Sequence, residues 1–131
     1  MKKFLCVLFL TASAFALPKI YITYVSANSP VSVPNGGTAM SLTLPAGYYS
    51  LSAHFQIQNF GQCYIADANG SIVNPSDGAQ QTSGGVLALD VAAHFSAADT
   101  ATVICNNSGT NSVLGSGSFS ATQVANPINV Q

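Results

Sequence analysis

Arginine and glutamate are absent from this chain, and lysine occurs only at Lys2, Lys3 and Lys19. With no basic patch to hold a phosphate backbone, nucleic acid is excluded as a partner. Acidic groups are equally scarce, being Asp67, Asp77, Asp90 and Asp99 alone. No apolar run reaches the roughly 20 residues that a membrane-spanning helix needs, and no stretch carries helical periodicity of useful length. A surface so poor in charge points to function by contact rather than by chemistry.

The first residues read as an address. Lys2 and Lys3 precede the apolar run Phe4-Leu5-Cys6-Val7-Leu8-Phe9-Leu10, and small residues follow. That order is the charged region, apolar core and cleavage site of a secretory signal. Two A-x-A sites overlap, Ala12-Ser13-Ala14 and Ala14-Phe15-Ala16, placing the mature start at Phe15 or Leu17, with Leu17 favoured. Residues 1–16 are thus expected to be a signal peptide and 17–131 a single domain. The product would be secreted or held in the cell envelope, in a periplasm or at a surface, with no membrane span left.

About 115 residues remain, enough for one sandwich core. One Lys against four Asp leaves a net charge of about −3. Cys6 departs with the signal, so Cys63 and Cys105 are the remaining cysteines. An even number in an oxidising compartment predicts one disulfide, the alternative being a pair of buried thiols. Neither has the His or Cys neighbours of a zinc site.

Two-residue alternation recurs along the chain between clusters of Gly, Pro, Asn, Asp and Ser. In Tyr49 to Gln58 it sets Tyr49, Leu51, Ala53, Phe55 and Ile57 on one face and Ser50, Ser52, His54, Gln56 and Gln58 on the other, a half-buried central strand. Further strands are predicted at Ile20 to Ala27, Ala39 to Leu44, Gln62 to Ala66, Val86 to Phe95, Thr100 to Asn106 and Ser116 to Val124. Turn chemistry separates them, as in Pro34-Asn35-Gly36-Gly37, Pro45-Ala46-Gly47 and Asp67-Ala68-Asn69-Gly70. The expected fold is all-β, an antiparallel sandwich or barrel. Asn74 to Gly85 is expected to be the longest exposed loop.

Three segments carry a family resemblance. Leu44 to Ala53 looks like the G-x-Y-x-F motif that opens a strand in the jelly rolls of the complement globular-head and tumour necrosis factor-like superfamily, with Gly47 and Tyr49 matching and Leu51 in the aromatic's place. Phe95 to Val103 is similar to that family's L-x-A-G-D-x-V segment, with Ala98 in place of the Gly. Gly117 to Val124 resembles its last core strand. Together they cover most of residues 38–124, in the family's order, and exported bacterial members share paired cysteines near the positions of Cys63 and Cys105. The resemblance implies a jelly-roll β-sandwich of about 8–10 strands and a homotrimer. No Gly-x-y run is present to make a stalk, so a trimer would form from the heads alone.

Independently, Ile20-Tyr21-Ile22-Thr23-Tyr24-Val25 is apolar or aromatic on both faces and has Lys19 as its single charged neighbour. Covering one face leaves the other wanting a partner, which predicts self-association.

Catalytic groups are weighed next. Asp90 and His94 share a strand face but lie about 13 Å apart, too far for a base and its orienter. Asp67, Asp77 and Asp99 sit in turn contexts, where Asp bonds its own backbone. No catalytic residue is assigned. His54 and His94 occur in the matching tripeptides Ala53-His54-Phe55 and Ala93-His94-Phe95. If they met, they could hold a transition metal or form a pH-sensitive contact; the plainer reading is two solvent-facing imidazoles. Asp67, with Asn69, is a candidate for calcium, which the resembling family sometimes binds, although Asn69-Gly70 already reads as a hairpin turn. No resident cofactor is otherwise expected. The sequons Asn69-Gly70-Ser71 and Asn106-Asn107-Ser108 carry meaning only in a eukaryotic secretory pathway.

The expected function is therefore that of an exported, non-catalytic binding or structural module. Its ligand contacts are expected in loops, with Asn74, Ser76, Asp77, Asn106, Asn107 and Asn111 as candidates, and a glycan or surface protein as partner. The alternatives are a lectin-like carbohydrate-binding module and a pilus-like subunit that exchanges its N-terminal strand.

Overall fold

The computed structural model describes residues 17–71, 80–107 and 112–125, with the backbone alone at 59–61, 80–84, 107 and 112. It is an all-β, antiparallel sandwich. Seven strands appear among the described residues: β1 Ile20–Val25, β2 Val31–Val33, β3 Gly37–Leu44, β4 Gly47–Ala66, β5 Gln80–Phe95, β6 Asp99–Asn107 and β7 Ser112–Val124.

The sandwich is organised by the β4–β5 hairpin, which bends through both layers. The first part of β4 lies between β7 and β5, and β1 extends this layer beyond β7. The register shifts between Ile57 and Phe60, and beyond that point Gly61 to Ala66 of β4 pair with β6, which carries β3 at its far side. Two predicted segments, Tyr49 to Gln58 and Gln62 to Ala66, are therefore one strand of 20 residues.

The core follows the two-residue alternation. Tyr49, Leu51, Ala53, Phe55 and Ile57 of β4 are buried against Leu87, Leu89 and Val91 of β5, Phe119 and Ala121 of β7, and Val103 of β6. Tyr49 spends its phenolic O–H on the Pro45 carbonyl at 2.9 Å. Burial, then the neighbouring Tyr21, pushes that phenol's pKa upward. In β3 a bulge between Thr38 and Met40 breaks the alternation, so that Ala39 and Met40 both face inward.

Cys63 and Cys105 oppose each other directly in the β4–β6 register, with Cα atoms 4.1 Å apart, and are joined by the expected disulfide. Both are fully buried. Such a link is at home in an oxidising compartment. Among the described residues no helix is long and apolar enough to cross a membrane.

Several loop expectations need correction. Gln80 to Gly85, expected in a loop, open β5. Asn106, the expected end of its strand, is followed in β6 by Asn107, the two pairing with Gln62 and Gly61, and Ser112 to Gly115 belong to β7. Asn and Ser are poor strand formers, but ladder bonds to a formed neighbour outweigh that preference. Asn74, Ser76, Asp77 and Asn111 lie outside the described residues, as do residues 1–16.

Candidate functional site

The outer face of the β1–β7–β4–β5 layer carries most of the chemistry available. Alternation sends Ser50, Ser52, His54 and Gln56 of β4 outward, beside Ala88, Asp90, Ala92 and His94 of β5. Ser52 and Asp90 are directly opposite, and His54 is the next outward residue along β4. Ser52 Oγ donates to Asp90 Oδ1 at 2.6 Å, and His54 Nε2 lies 3.5 Å from Asp90 Oδ2 and 3.4 Å from Ser52 Oγ. The Ser52 hydrogen bond lowers the Asp90 pKa most; desolvation opposes it, and the bond and charge of His54 lower it further.

These three residue types suggest acyl transfer, but the connectivity is wrong for it. A nucleophilic serine must hand its proton to an imidazole that a carboxylate orients from the other side. Here the carboxylate takes the serine O–H itself, and the imidazole touches it with the nitrogen that would be the base. The trio is largely exposed on a flat sheet, whose backbone N–H groups are committed to ladder bonds and cannot form an oxyanion hole. The arrangement is suited to polar contact. The sequence shows Asp90 only beside His94 along one strand, whereas its partners come from the next strand and are fixed by register.

Asp90 gives one pH prediction. A carboxyl with a depressed folded pKa adds stability above its unfolded pKa, and that stability is lost as pH falls through the folded value. Exposure keeps the contribution small. A carboxyl NMR titration is expected to show the Asp90 midpoint rising towards the ordinary carboxylate range in Ser52→Ala, and by less in His54→Gln. An unmoved midpoint in Ser52→Ala would mean that the serine bond is not made in solution.

The two histidines face outward with Phe55 and Phe95 behind them, as expected, but they do not meet. His54 opposes Ala88 and His94 opposes Tyr48, so they sit about 20 Å apart along neighbouring strands. The condition for a shared metal or pH-sensitive contact is thus not met within one subunit, and both imidazoles face outward. His94 instead stacks on Tyr48, ring centroids 4.1 Å apart. The same His94 lines a cleft of about 430 Å³ with Asp67, Asn69, Ser71, Ser96 and Asp99.

The carboxylates of this cleft brace its walls. Asp67 Oδ1 accepts the N–H groups of Asn69 and Ser71, each at 2.9 Å, and closes the Asp67-Ala68-Asn69-Gly70 turn. Asp99 Oδ1 accepts from Thr100 N at 2.7 Å and Ala68 N at 3.3 Å, tying that turn to the start of β6. The turn reading of Asp67 and Asp99 therefore holds. Among the described residues no three of His, Cys, Asp and Glu stand together as a metal cage.

No family model and no curated protein matches the chain. Solved structures do. Over 91% of its length the chain is similar to the VP2 subviral particle of infectious bursal disease virus, with 14% identity and a TM-score of 0.49. It is similar over 82% to the Gx strain of that virus, with 15% identity and a TM-score of 0.48. It spans 37% and 33% of those two chains, about a third of their length.

Proposed function

We propose that this protein is an exported, non-catalytic jelly-roll module that works by contact and self-associates. The observation that carries the reading is the outer face of β1. Leu17, Ile20, Ile22 and Tyr24 stand 86%, 66%, 61% and 75% exposed, in a stretch whose single charge is Lys19. An apolar stripe of this kind on a surface poor in charge marks a contact site. The complement and tumour necrosis factor-like resemblance implies three copies. The buried disulfide fits an oxidising location outside the cytoplasm. Light scattering on the full chain, expressed with export and purified, is expected to give an oligomer over a wide concentration range; a monomer throughout would overturn the reading.

A lectin-like role is the second reading, and the cleft beside His94 favours it. Its lining includes His94, on which Tyr48 stacks, and carboxylate, amide and hydroxyl oxygens of Asp67, Asn69, Ser71, Ser96 and Asp99. Aromatic faces against sugar C–H groups, with planar polar groups against hydroxyls, is the usual chemistry of sugar contact. Binding on a glycan array that Tyr48→Ala abolishes would support this reading, and an empty array would remove it.

A further inference from the structure

We propose that two copies of this chain join through the free edge of β1, in antiparallel register about a two-fold axis at Ile22. The proposal rests on the self-association reading and sets its order at two rather than three.

The backbone supplies the argument. Gln123 donates its N–H to the Lys19 carbonyl at 2.8 Å, and Ile20 opposes Thr122 in the β1–β7 register. Lys19 and Gln123 are therefore a hydrogen-bonded rung. Bonded rungs alternate along an antiparallel pair, so Tyr21, Thr23 and Val25 turn their N–H and C=O groups towards β7. Ile20, Ile22 and Tyr24 turn theirs the other way. β1 is the end strand of its layer, and β7 is its sole ladder partner among the described residues. Among the described residues no ladder bond is made on that side, and a row of such donors and acceptors is best matched by another strand.

The side chains say which strand. The residues that present free backbone groups are also those whose side chains lie exposed on the outer face. A two-fold axis perpendicular to the sheet keeps outer faces together, so exposed residues must oppose exposed residues. The register that uses every free group sets Ile22 against Ile22 of the second copy and Ile20 against its Tyr24. Lys19 then falls beside Val25 of the other copy and not beside another lysine. No other Lys, Arg, Asp or Glu occurs between Lys19 and Asp67, so no like-charge rung opposes the pairing.

The other free edges are less suited. β3 carries a bulge at Thr38 and Met40, and β5 presents Asp90 and His94, features that discourage edge pairing. β1 has neither a bulge, a proline nor a charge within it. Ile20, Ile22 and Tyr24 of one copy would flank those of the other on the shared outer face, and the ladder of backbone bonds would hold the pair.

The test follows from the same geometry. Ile22→Pro removes an N–H on the free side while leaving the rungs to β7 intact, and proline is tolerated at such edge positions. Ile22→Lys places a charge against its own copy and reads the same edge should the proline variant misfold. Sedimentation of the exported full chain is expected to give a dimer, with each variant weakening association at least tenfold and retaining the β-sheet circular dichroism. An oligomer that both variants leave unchanged would overturn the β1 edge while leaving self-association standing. A trimer dissolved by either variant would overturn the two-fold register. A wild-type monomer at all concentrations would overturn both this proposal and the reading beneath it.

Discussion

Replacing Cys63 and Cys105 together by alanine is expected to lower the melting midpoint by about 15 °C or more, corresponding to roughly 3 to 4 kcal/mol. The bond closes a loop of 42 residues of sequence separation, which contains the whole of β5 and the turns on either side. Without it the unfolded chain regains the freedom of that loop. Both cysteines are fully buried, so the substitution also removes packing atoms from the core. Against a domain stability of about 5–15 kcal/mol, this is a large fraction. The bond is placed where the fold most needs it, in the part of β4 that has passed the register shift and crossed to the second layer to pair with β6. Thermal unfolding by circular dichroism, with a thiol titration of the denatured wild type, checks it. Free thiols in the wild type, or a midpoint within a few degrees of it in the double variant, would contradict the link.

The parts of the fold that the sequence disclosed are those governed by alternation. Phe55 and Phe95 inward, His54 and His94 outward, and the faces of β4 and β5 all follow from the period of a strand, which each residue reports locally. The pairing partners are another matter. Nothing local says that Ser52 faces Asp90 or that His94 faces Tyr48, since register is fixed by the whole ladder. Composition and alternation point to two histidines and some loop asparagines because they show residue types without their neighbours. β2 was missed for a different reason. Val31–Val33 is three residues long and set between Pro30 and Pro34, so its punctuation outweighs its pattern. The continuity of β4 through Asn59 and Gly61 was obscured likewise, as a polar residue and a glycine read as a break when they mark a bend.

Gly117→Ala is expected to destabilise the protein by about 3 kcal/mol, and Gly117→Val to prevent folding. β7 passes Gly117 between Val25 of β1 and Phe55 of β4. A Cβ built at Gly117 would lie inside any real contact distance of Phe55 Cβ, Phe55 Cα and the His54 carbonyl oxygen. Two of these three atoms are backbone, which cannot rotate aside as a side chain can. Relief requires β7 to move away from β4, which would loosen Phe119 and Phe55, both buried in the core. The β4–β7 register shifts between Phe55 and Ile57, beside this crossing, so the strands are already bent there and have little room to adjust. Gly115 supplies an internal control only two residues away. A Cβ there would meet Gln56 Oε1 at 3.6 Å, an ordinary contact with a flexible side chain. Gly115→Ala should therefore change stability by less than about 0.5 kcal/mol. Urea unfolding of the two alanine variants in parallel separates close approach at one position from a general intolerance of side chains in this strand. Equal midpoints for Gly115→Ala and Gly117→Ala would show that β7 does not press on β4 at Gly117, and with that the packing of the outer layer would have to be redrawn.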